Sequence, residues 1–256
     1  MRVKLLPSAF PPPLSETHQY LTTYVINDGV AIDAGALGLF GGHEEQARIR
    51  HVFITHSHAD HVAGLPVFLD TAYRGTTDCV VVHGSDAVLE SLRHDWFNGR
   101  VWPDYERLAP NGCPFVRLSR LQPGQVVEVE GLRLTAVPVD HTVPTFGFLV
   151  EDADTAVVFS SDTGPTSELW ERANRVANLK AVFLELSFPD ELASVAATSK
   201  HLTPSLFAAE MRKLRHDVRW YAVHVKPRFR EAVLADLASR PIPGLELILA
   251  GHEYDL

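Results

Sequence analysis

The sequence predicts an α/β protein built as a four-layer α/β/β/α sandwich, with two sheets packed together and helices outside. Strand-like and helical segments follow one another in two similar halves. The 256 residues are 46% hydrophobic, which is enough for a sizeable core. No Gly/Ser linker interrupts the chain, so we expect a single domain over residues 1–256.

The first half begins with short β-rich runs at residues 20–26, 30–33 and 51–55. Asn27-Asp28-Gly29 predicts a hairpin turn between the first two runs, because these residues favour the left-handed backbone of such turns. Pro11 to Pro13 predict a short stiff stretch rather than a domain boundary. A helix follows at Ser85 to Trp96, with Ser85 as its N-cap.

Strands dominate the first part of the second half, from Phe115 to Ser160, and then alternate with helices. A hairpin is predicted around Glu130-Gly131. Thr203 followed by Pro204 is typical of an N-cap and a first helical position. We expect the remaining elements as a helix at 166–175, a strand at 181–185, a helix at 204–215, a strand at 220–223, a helix at 228–238 and a last strand at 245–249.

Charge and composition disfavour several classes of partner. The formal net charge of −9 disfavours binding to a nucleic-acid polymer, which needs a basic surface. The stretch Met1 to Pro7 lacks a long apolar run, so we expect neither a signal peptide nor a membrane anchor. The predicted location is cytoplasmic, or periplasmic if a signal was removed. Cys79 and Cys113 predict free thiols rather than a disulfide framework, with a single disulfide as the alternative.

The run Thr55-His56-Ser57-His58-Ala59-Asp60-His61 carries the strongest chemical signal. Three imidazoles and one carboxylate within six residues form a ligand set for divalent metal ions, and it is large enough for two. The run follows the predicted strand Val52-Phe53-Ile54, and open α/β sheets bind ligands at the carboxyl ends of strands. The alternative is a solvated polar loop that binds no metal.

Three further candidate ligands each follow an apolar run, namely His141, Asp162 and His224. Taken alone, each has a common structural explanation, because such histidines are often hydrogen-bonded and Asp-Thr-Gly is a frequent turn. Their joint occurrence downstream of the histidine-rich run favours a metal site. His252 is the chief alternative to His224 as the last ligand.

In this order, the candidate ligands resemble the motifs of the metallo-β-lactamase superfamily, which implies the α/β/β/α fold. The resemblance also implies two metal ions, most simply zinc, with manganese and iron as alternatives. It assigns one ion to His56, His58 and His141, the second to Asp60, His61 and His224, and Asp162 to both.

A narrower resemblance links the chain to class II cyclic-nucleotide phosphodiesterases. Its most discriminating segments are Trp102-Pro103-Asp104 and His224-Val225-Lys226-Pro227. The further segments are Thr22 to Gly35, Ser161 to Gly164, Glu185 to Pro189 and His201 to Pro204. The resemblance implies hydrolysis of a small-molecule substrate, cyclic AMP or cyclic GMP, to the 5′-nucleotide.

Such a reaction implies roles for three side chains. A hydroxide bridging the two ions would attack phosphorus, and Asp60 would help to position it. The leaving alkoxide needs a proton, and His201 is the candidate donor because it lies outside the seven ligands. A structural capping role is the alternative for His201. Glu185 would orient His201 or satisfy buried backbone donors.

Other functions remain open at this point. The same ligands serve lactone, thioester and β-lactam hydrolysis, and also the tRNA 3′-processing nucleases, although the chain lacks their Gly-rich basic arm. A non-catalytic cyclic-nucleotide receptor is a third possibility, and a homodimer is expected only as the commonest assembly. The aromatic cluster Trp96, Phe97, Trp102 and Tyr105 either stacks on a nucleobase or packs in the core.

Overall fold

Two seven-stranded mixed sheets form the framework of the described chain, one in each of two units. The computed structural model describes residues 1–11 and 14–256, so Pro12 and Pro13 of the predicted stiff stretch lie outside it. The first unit comprises residues 1–8, 21–122 and 250–255, and the second comprises 9–20, 123–249 and 256. The single domain over residues 1–256 stays a prediction.

The sheet of the first unit has the strand order β14-β1-β2-β3-β4-β5-β6, numbered along the whole chain. Strands β3 to β6 run parallel and the other pairs antiparallel. The strands are β1 Arg2–Leu5, β2 Tyr24–Ile26, β3 Val30–Ile32, β4 His51–Phe53, β5 Val80–Gly84, β6 Val116–Arg120 and β14 Glu253–Asp255. The helices are α2 His43–Gln46, α3 Ala59–Val62, α4 Leu65–Ala72 and α5 Asp86–Ser91.

The sheet of the second unit repeats this arrangement, with the order β13-β12-β11-β10-β9-β8-β7. Strands β7 to β10 form an antiparallel meander, and β10 to β13 run parallel. The strands are β7 Val126–Val129, β8 Leu132–Val139, β9 Thr145–Glu151, β10 Ala156–Phe159, β11 Leu179–Glu185, β12 Arg219–Val223 and β13 Leu245–Leu247. The helices are α1 Leu14–Thr17, α6 Glu168–Ala173, α7 Ala193–Ser199, α8 Pro204–Met211 and α9 Arg230–Ser239. The prediction of two similar halves is confirmed.

Local sequence explains how helix and strand bury their apolar faces. In α4, Leu65, Phe68, Leu69 and Ala72 are buried at helical spacing and join the core of the first unit. In β11, successive residues point to opposite faces of the sheet. On one face, the ring of Phe183 stacks between the rings of Phe159 and Tyr221 from the two neighbouring strands, with ring centroids 4.9 Å apart on each side. Parallel strands with both faces buried present their carboxyl ends as rigid platforms for polar side chains.

Most predicted elements are present, with shorter bounds. Ser85 caps α5 as predicted, because its hydroxyl accepts a hydrogen bond from the Val88 N–H at 3.3 Å. The last predicted turns of that helix form a π-helix at Leu92–Trp96. The predicted helix at 204–215 ends at Met211, and Thr203 caps it as predicted.

The prediction that the strand at 245–249 is the last one is wrong. That strand ends at Leu247, and β14 follows it and pairs with β1 through Arg2 and Asp255. Neither strand was predicted, because each has only three or four residues and gains its stability from a partner at the other end of the sequence. Cys79 and Cys113 are both free thiols and partly exposed. Within residues 1–11 and 14–256, we find no helix of the length and apolar character needed to cross a membrane.

Candidate metal-binding residues

The histidine-rich run places four candidate ligands between β4 and the end of α3. His56 Nε2 and His58 Nδ1 lie 3.0 Å apart. Two nitrogens bound at 2.0–2.1 Å to one tetrahedral ion would lie about 3.4 Å apart, so these rings are close to such a geometry. His61 Nε2 lies 3.8 Å from Asp60 Oδ2. The loop therefore groups its donors into two pairs, as expected for two ions.

A buried carboxylate at the end of β3 orients two of these histidines. Asp33 Oδ2 lies 2.7 Å from His61 Nδ1, and Asp33 also accepts the N–H and the hydroxyl of Thr55 at 2.8 and 3.0 Å. The Thr55 hydroxyl lies 2.9 Å from His56 Nδ1. These contacts occupy Nδ1 of both rings and direct their Nε2 atoms to the role of ligand. Burial raises the pKa of Asp33, and the neighbouring His61 and Thr55 oppose that increase.

In the second unit, His141, Asp162 and His224 follow strands β8, β10 and β12 and are all buried. A donor atom of Asp162 lies within 4.8 Å of one from His141 and of one from His224. The distance from Asp162 Oδ2 to His224 Nε2 is 3.6 Å. One carboxylate thus lies close to both histidines, as a ligand shared by two ions would have to.

Hydrogen bonds also orient these histidines. The Nδ1 atom of His141 lies 3.1 Å from the carbonyl oxygen of Lys200, and that of His224 lies 3.0 Å from the hydroxyl of Ser187. Ser187 in turn donates to Glu185 Oε2 at 2.9 Å. Sequence reasoning assigned no role to Ser187 or Asp33, although each lies in a segment that carries the phosphodiesterase resemblance.

Strained backbone marks three of the strand ends. Asp33, Ser161 and His224 have φ values of 60°, 58° and 59°, although none of them is glycine. A non-glycine residue in this left-handed region costs roughly 1–3 kcal/mol and persists only where its surroundings hold it. All three residues lie at or next to candidate ligands or their supports.

His201 and Glu185 form a buried pair outside the candidate ligands, with 2.7 Å between His201 Nδ1 and Glu185 Oε1. Glu185 also accepts the Thr163 N–H at 3.2 Å, so both functions considered for this residue are present. Burial lowers the pKa of His201, but the hydrogen bond and charge of Glu185, aided by Asp162, outweigh it and raise the pKa above its ordinary value. The ring of His201 does not cap α8, because Thr203 does so.

Other candidates fall outside these clusters. His252 is exposed in the turn before β14. Of the aromatic cluster, Phe97 and Tyr105 are buried in the core of the first unit, and the two tryptophans pack against that core. Core packing, the alternative to nucleobase stacking, therefore accounts for this cluster.

His83 stacks with His51 and Phe53, and none of these three residues is a candidate ligand. Its ring lies parallel to that of Phe53, with centroids 4.3 Å apart, and contacts His51 through ring nitrogens 3.1 Å apart. Burial, followed by the nearby His51, lowers the pKa of His83 to about 4. This stack is a structural feature of the strands β4 and β5.

The His and Asp clusters are suited to binding metal ions, since they combine imidazole and carboxylate donors with hydrogen bonds that orient the rings. The donor set fits zinc and equally manganese or iron, so it does not identify the metal.

Comparison with known proteins places these residues in a family. Residues 32–225 match the family model described as the Beta-lactamase superfamily domain. The chain is 26% identical to a probable 3′,5′-cyclic-nucleotide phosphodiesterase of Yersinia pestis, over 78% of this chain and 66% of that protein. It is 30% identical to Ribonuclease Z of Lactobacillus helveticus (strain DPC 4571), over 41% of this chain and 32% of that protein. The chain thus spans less than two thirds of the length of these curated relatives.

Solved structures agree on the fold. The crystal structure of unliganded yeast PDE1 matches with a TM-score of 0.76 and 16% identity, covering 100% of this chain and 99% of that one. At such identity the match establishes the fold alone. The crystal structure of the metallo-β-lactamase fold protein YhfI from Bacillus subtilis matches with a TM-score of 0.73 and 15% identity, covering 99% of this chain and 98% of that one. Because the family model covers most of the chain, including every candidate ligand from His56 to His224, the chain belongs to the β-lactamase superfamily and has the metallo-β-lactamase fold.

Proposed function

We propose that the chain hydrolyses the 3′,5′-cyclic phosphodiester of a cyclic nucleotide, cyclic AMP or cyclic GMP, to the 5′-nucleotide. The observation that carries the proposal is the buried His201–Glu185 pair, which offers an acid beside the candidate ligands but separate from them. The ring centroid of His201 lies 5.1 Å from that of His141 and 5.7 Å from that of His224. A good leaving group such as a thiolate needs no separate acid, whereas the alkoxide released from a phosphodiester does. The name of the Yersinia pestis relative gives independent support.

The proposal includes two divalent ions, zinc in the first instance. We assign one ion to His56, His58 and His141, the second to Asp60, His61 and His224, and Asp162 to both. When bound, the ions would activate water and offset negative charge on the phosphate. Support comes from the paired donor distances within each unit and from the hydrogen bonds behind four of the five histidines.

Side chains of the protein itself would protonate the leaving oxygen and align the attacking water. Opening to the 5′-nucleotide breaks the bond between phosphorus and the 3′ oxygen, which takes up a proton. His201 holds its Nδ1 against Glu185, so Nε2 is the atom left to carry the transferable proton. Asp60 is the more exposed of the two acidic ligands, and we propose that it aligns the attacking water as well as binding metal.

A turnover panel tests this function against hydrolysis at carbon. Metal-loaded protein is incubated with cyclic AMP, cyclic GMP, a bis-aryl phosphodiester and an acyl-homoserine lactone. We expect 5′-nucleotide from a cyclic nucleotide, loss of turnover after chelation, and recovery when zinc, manganese or iron is restored. Lactone opening without nucleotide hydrolysis would replace the proposal with a carbon-centred hydrolase.

Substitution of His201 tests the assignment of the acid. His201→Ala should retain two ions and lose roughly 10²- to 10⁴-fold in turnover of the cyclic nucleotide. Turnover of a bis-aryl phosphodiester should fall much less, because its leaving group needs no proton. Full turnover with metals retained would remove the proton-donor role, and loss of an ion would make His201 a ligand instead.

A tRNA 3′-processing nuclease is the second candidate, since Ribonuclease Z is among the relatives. The net charge of −9 opposes it, because tRNA binding gains its affinity from basic surface. Adding a precursor tRNA to the panel separates the two functions. Nucleotide binding without turnover in metal-replete protein would instead indicate a receptor, and light scattering would test the proposed homodimer.

A further inference from the structure

The segment of residues 19–22 forms a hydrogen bond at each of its two ends, and each bond is to the main chain of a proposed metal ligand. In the second unit, Gln19 Oε1 accepts the N–H of His224 at 3.0 Å. In the first unit, the N–H of Thr22 donates to the carbonyl oxygen of Asp60 at 2.8 Å. These ligand residues are the two that the proposed function places with His61 on the second ion.

The hydrogen bond accepted by Gln19 comes from a residue with a strained backbone, His224. His224 has a φ of 59°, which a side chain with a Cβ rarely adopts, so its peptide must be held by its surroundings. Ser187 holds the imidazole ring through Nδ1, and Gln19 holds the peptide N–H. The end of α1, two residues before Gln19, is anchored by Arg230, whose Nε donates to the Thr17 carbonyl oxygen at 3.0 Å.

The contact of Thr22 falls on a tightly packed position. The Gly35 N–H donates to the Thr22 carbonyl oxygen at 3.0 Å. A Cβ added to Gly35 would come within 1.9 Å of the Asp60 carbonyl oxygen, so only glycine fits there. The main chain of Asp60 is therefore fixed by two neighbours, one of which is three residues from Gln19.

From these contacts we infer that Gln19 is a positioning residue for the second metal ion. It holds the peptide of His224 in its left-handed conformation, and it belongs to a four-residue segment whose other end holds Asp60. Neither of these two hydrogen bonds falls on His56, His58 or His141, the residues assigned to the first ion. Loss of the Gln19 contact should thus weaken one ion and spare the other. The inference rests on the ligand assignment of the proposed function.

The test compares side chains that keep or remove the acceptor oxygen. Gln19→Met has similar length without an acceptor, Gln19→Asn withdraws the oxygen by one methylene, and Gln19→Glu keeps it. Glu16→Gln is the matched control, since Glu16 is exposed in α1, three residues before Gln19. Each protein is titrated with zinc against a chromophoric chelator, and native mass spectrometry counts the ions bound.

We expect Gln19→Met and Gln19→Asn to weaken the second zinc roughly 10-fold or more, the usual effect of removing support behind a ligand. The first zinc should stay within about twofold, and Gln19→Glu and the control should resemble the parent protein. Unchanged affinity for both ions in a folded Gln19→Asn protein, or equal weakening of both, would overturn the inference. If Gln19→Met fails to fold, Gln19→Asn and Gln19→Glu still decide it.

Failure of the proposed function would be seen differently. Absence of cyclic-nucleotide turnover with two zinc ions bound would refute the function and leave the positioning role intact. Normal turnover in the parent protein with unchanged metal affinity in the Gln19 variants would refute only the positioning role.

Discussion

We expect Asp33→Asn to prevent His61 from binding metal, although His61 itself is unchanged. Asp33 Oδ1 accepts the N–H of Thr55 at 2.8 Å, so the amide oxygen of an asparagine must take that position. Its NH₂ group then replaces Oδ2, which lies 2.7 Å from His61 Nδ1. An NH₂ group donates and cannot accept a hydrogen bond, so Nδ1 of His61 must act as the acceptor and the ring must carry its proton on Nε2. The protonated Nε2 cannot bind an ion.

The size of the effect follows from the geometry. The substitution preserves shape in a fully buried site, so the main cost is the wrong tautomer of one ligand. Substitutions behind a metal ligand typically cost 10- to 100-fold in affinity, or about 1.4–2.7 kcal/mol. Because His61 is proposed to bind only the second ion, we expect the affinity of that ion alone to fall within this range.

The assay is zinc titration against a chromophoric chelator, with urea unfolding as a check on the fold. Asp28→Asn is the matched control, because Asp28 is an exposed turn residue with a φ of 61° that asparagine also favours. Equal zinc affinity in Asp33→Asn and the control would refute this reasoning about the tautomer. Weakening of both ions to the same extent would show general damage rather than loss of one ligand.

Three further predictions concern other parts of the chain. Gly35→Ala places a Cβ 1.9 Å from the Asp60 carbonyl oxygen, and we expect urea unfolding to show a loss of about 1–3 kcal/mol. Gly42→Ala, whose Cβ meets nothing closer than 3.8 Å, should cost less than about 1 kcal/mol, the effect of alanine at the N-cap of α2, and equal effects would contradict the packing argument. For His83, burial lowers the pKa from 6.5 to about 4, so the unfolded chain binds its proton more tightly than the folded one. Its contribution to stability is complete above pH 6.5 and about 3 kcal/mol is lost as the pH falls toward 4. His83→Phe should flatten this part of the pH profile, and an unchanged profile would exclude His83 as its source. Ser187→Ala removes a hydroxyl between a proposed ligand and a buried glutamate, and should lower zinc affinity roughly 10-fold. Ser187→Thr, which keeps the hydroxyl, should restore zinc affinity. Equal zinc affinity in the parent protein and both variants would contradict the orienting role of Ser187.

The parts of the fold that sequence predicts well are those with local signals. The Asn27-Asp28-Gly29 turn, the Ser85 cap and the Thr203 cap depend on residues within three or four positions of one another, and all are present. The candidate ligands after strand ends were also accessible, because an apolar run followed by His or Asp is visible in the sequence. Their roles as ligands stay predictions.

Contacts between distant segments could not be predicted. Strand β14 forms only because β1 offers an edge at the other end of the chain. The contact of Gln19 with His224 joins residues 205 positions apart, and neither residue type signals the other. The support of His141 by a main-chain carbonyl carries no side-chain signal at all. Sequence thus indicates which side chains carry chemistry, whereas the groups that orient them depend on tertiary packing.

The most direct test of the account follows oxygen from water into the product. Zinc-loaded protein is incubated with cyclic AMP and, separately, with cyclic GMP in ¹⁸O-labelled water, and the products are analysed by mass spectrometry. We predict a 5′-nucleotide with one labelled oxygen in its phosphate from at least one of them, because water attacks phosphorus and the 3′ oxygen leaves. Recovery of both cyclic nucleotides unreacted from protein that holds two zinc ions, or formation of a 3′-nucleotide, would contradict the proposed function.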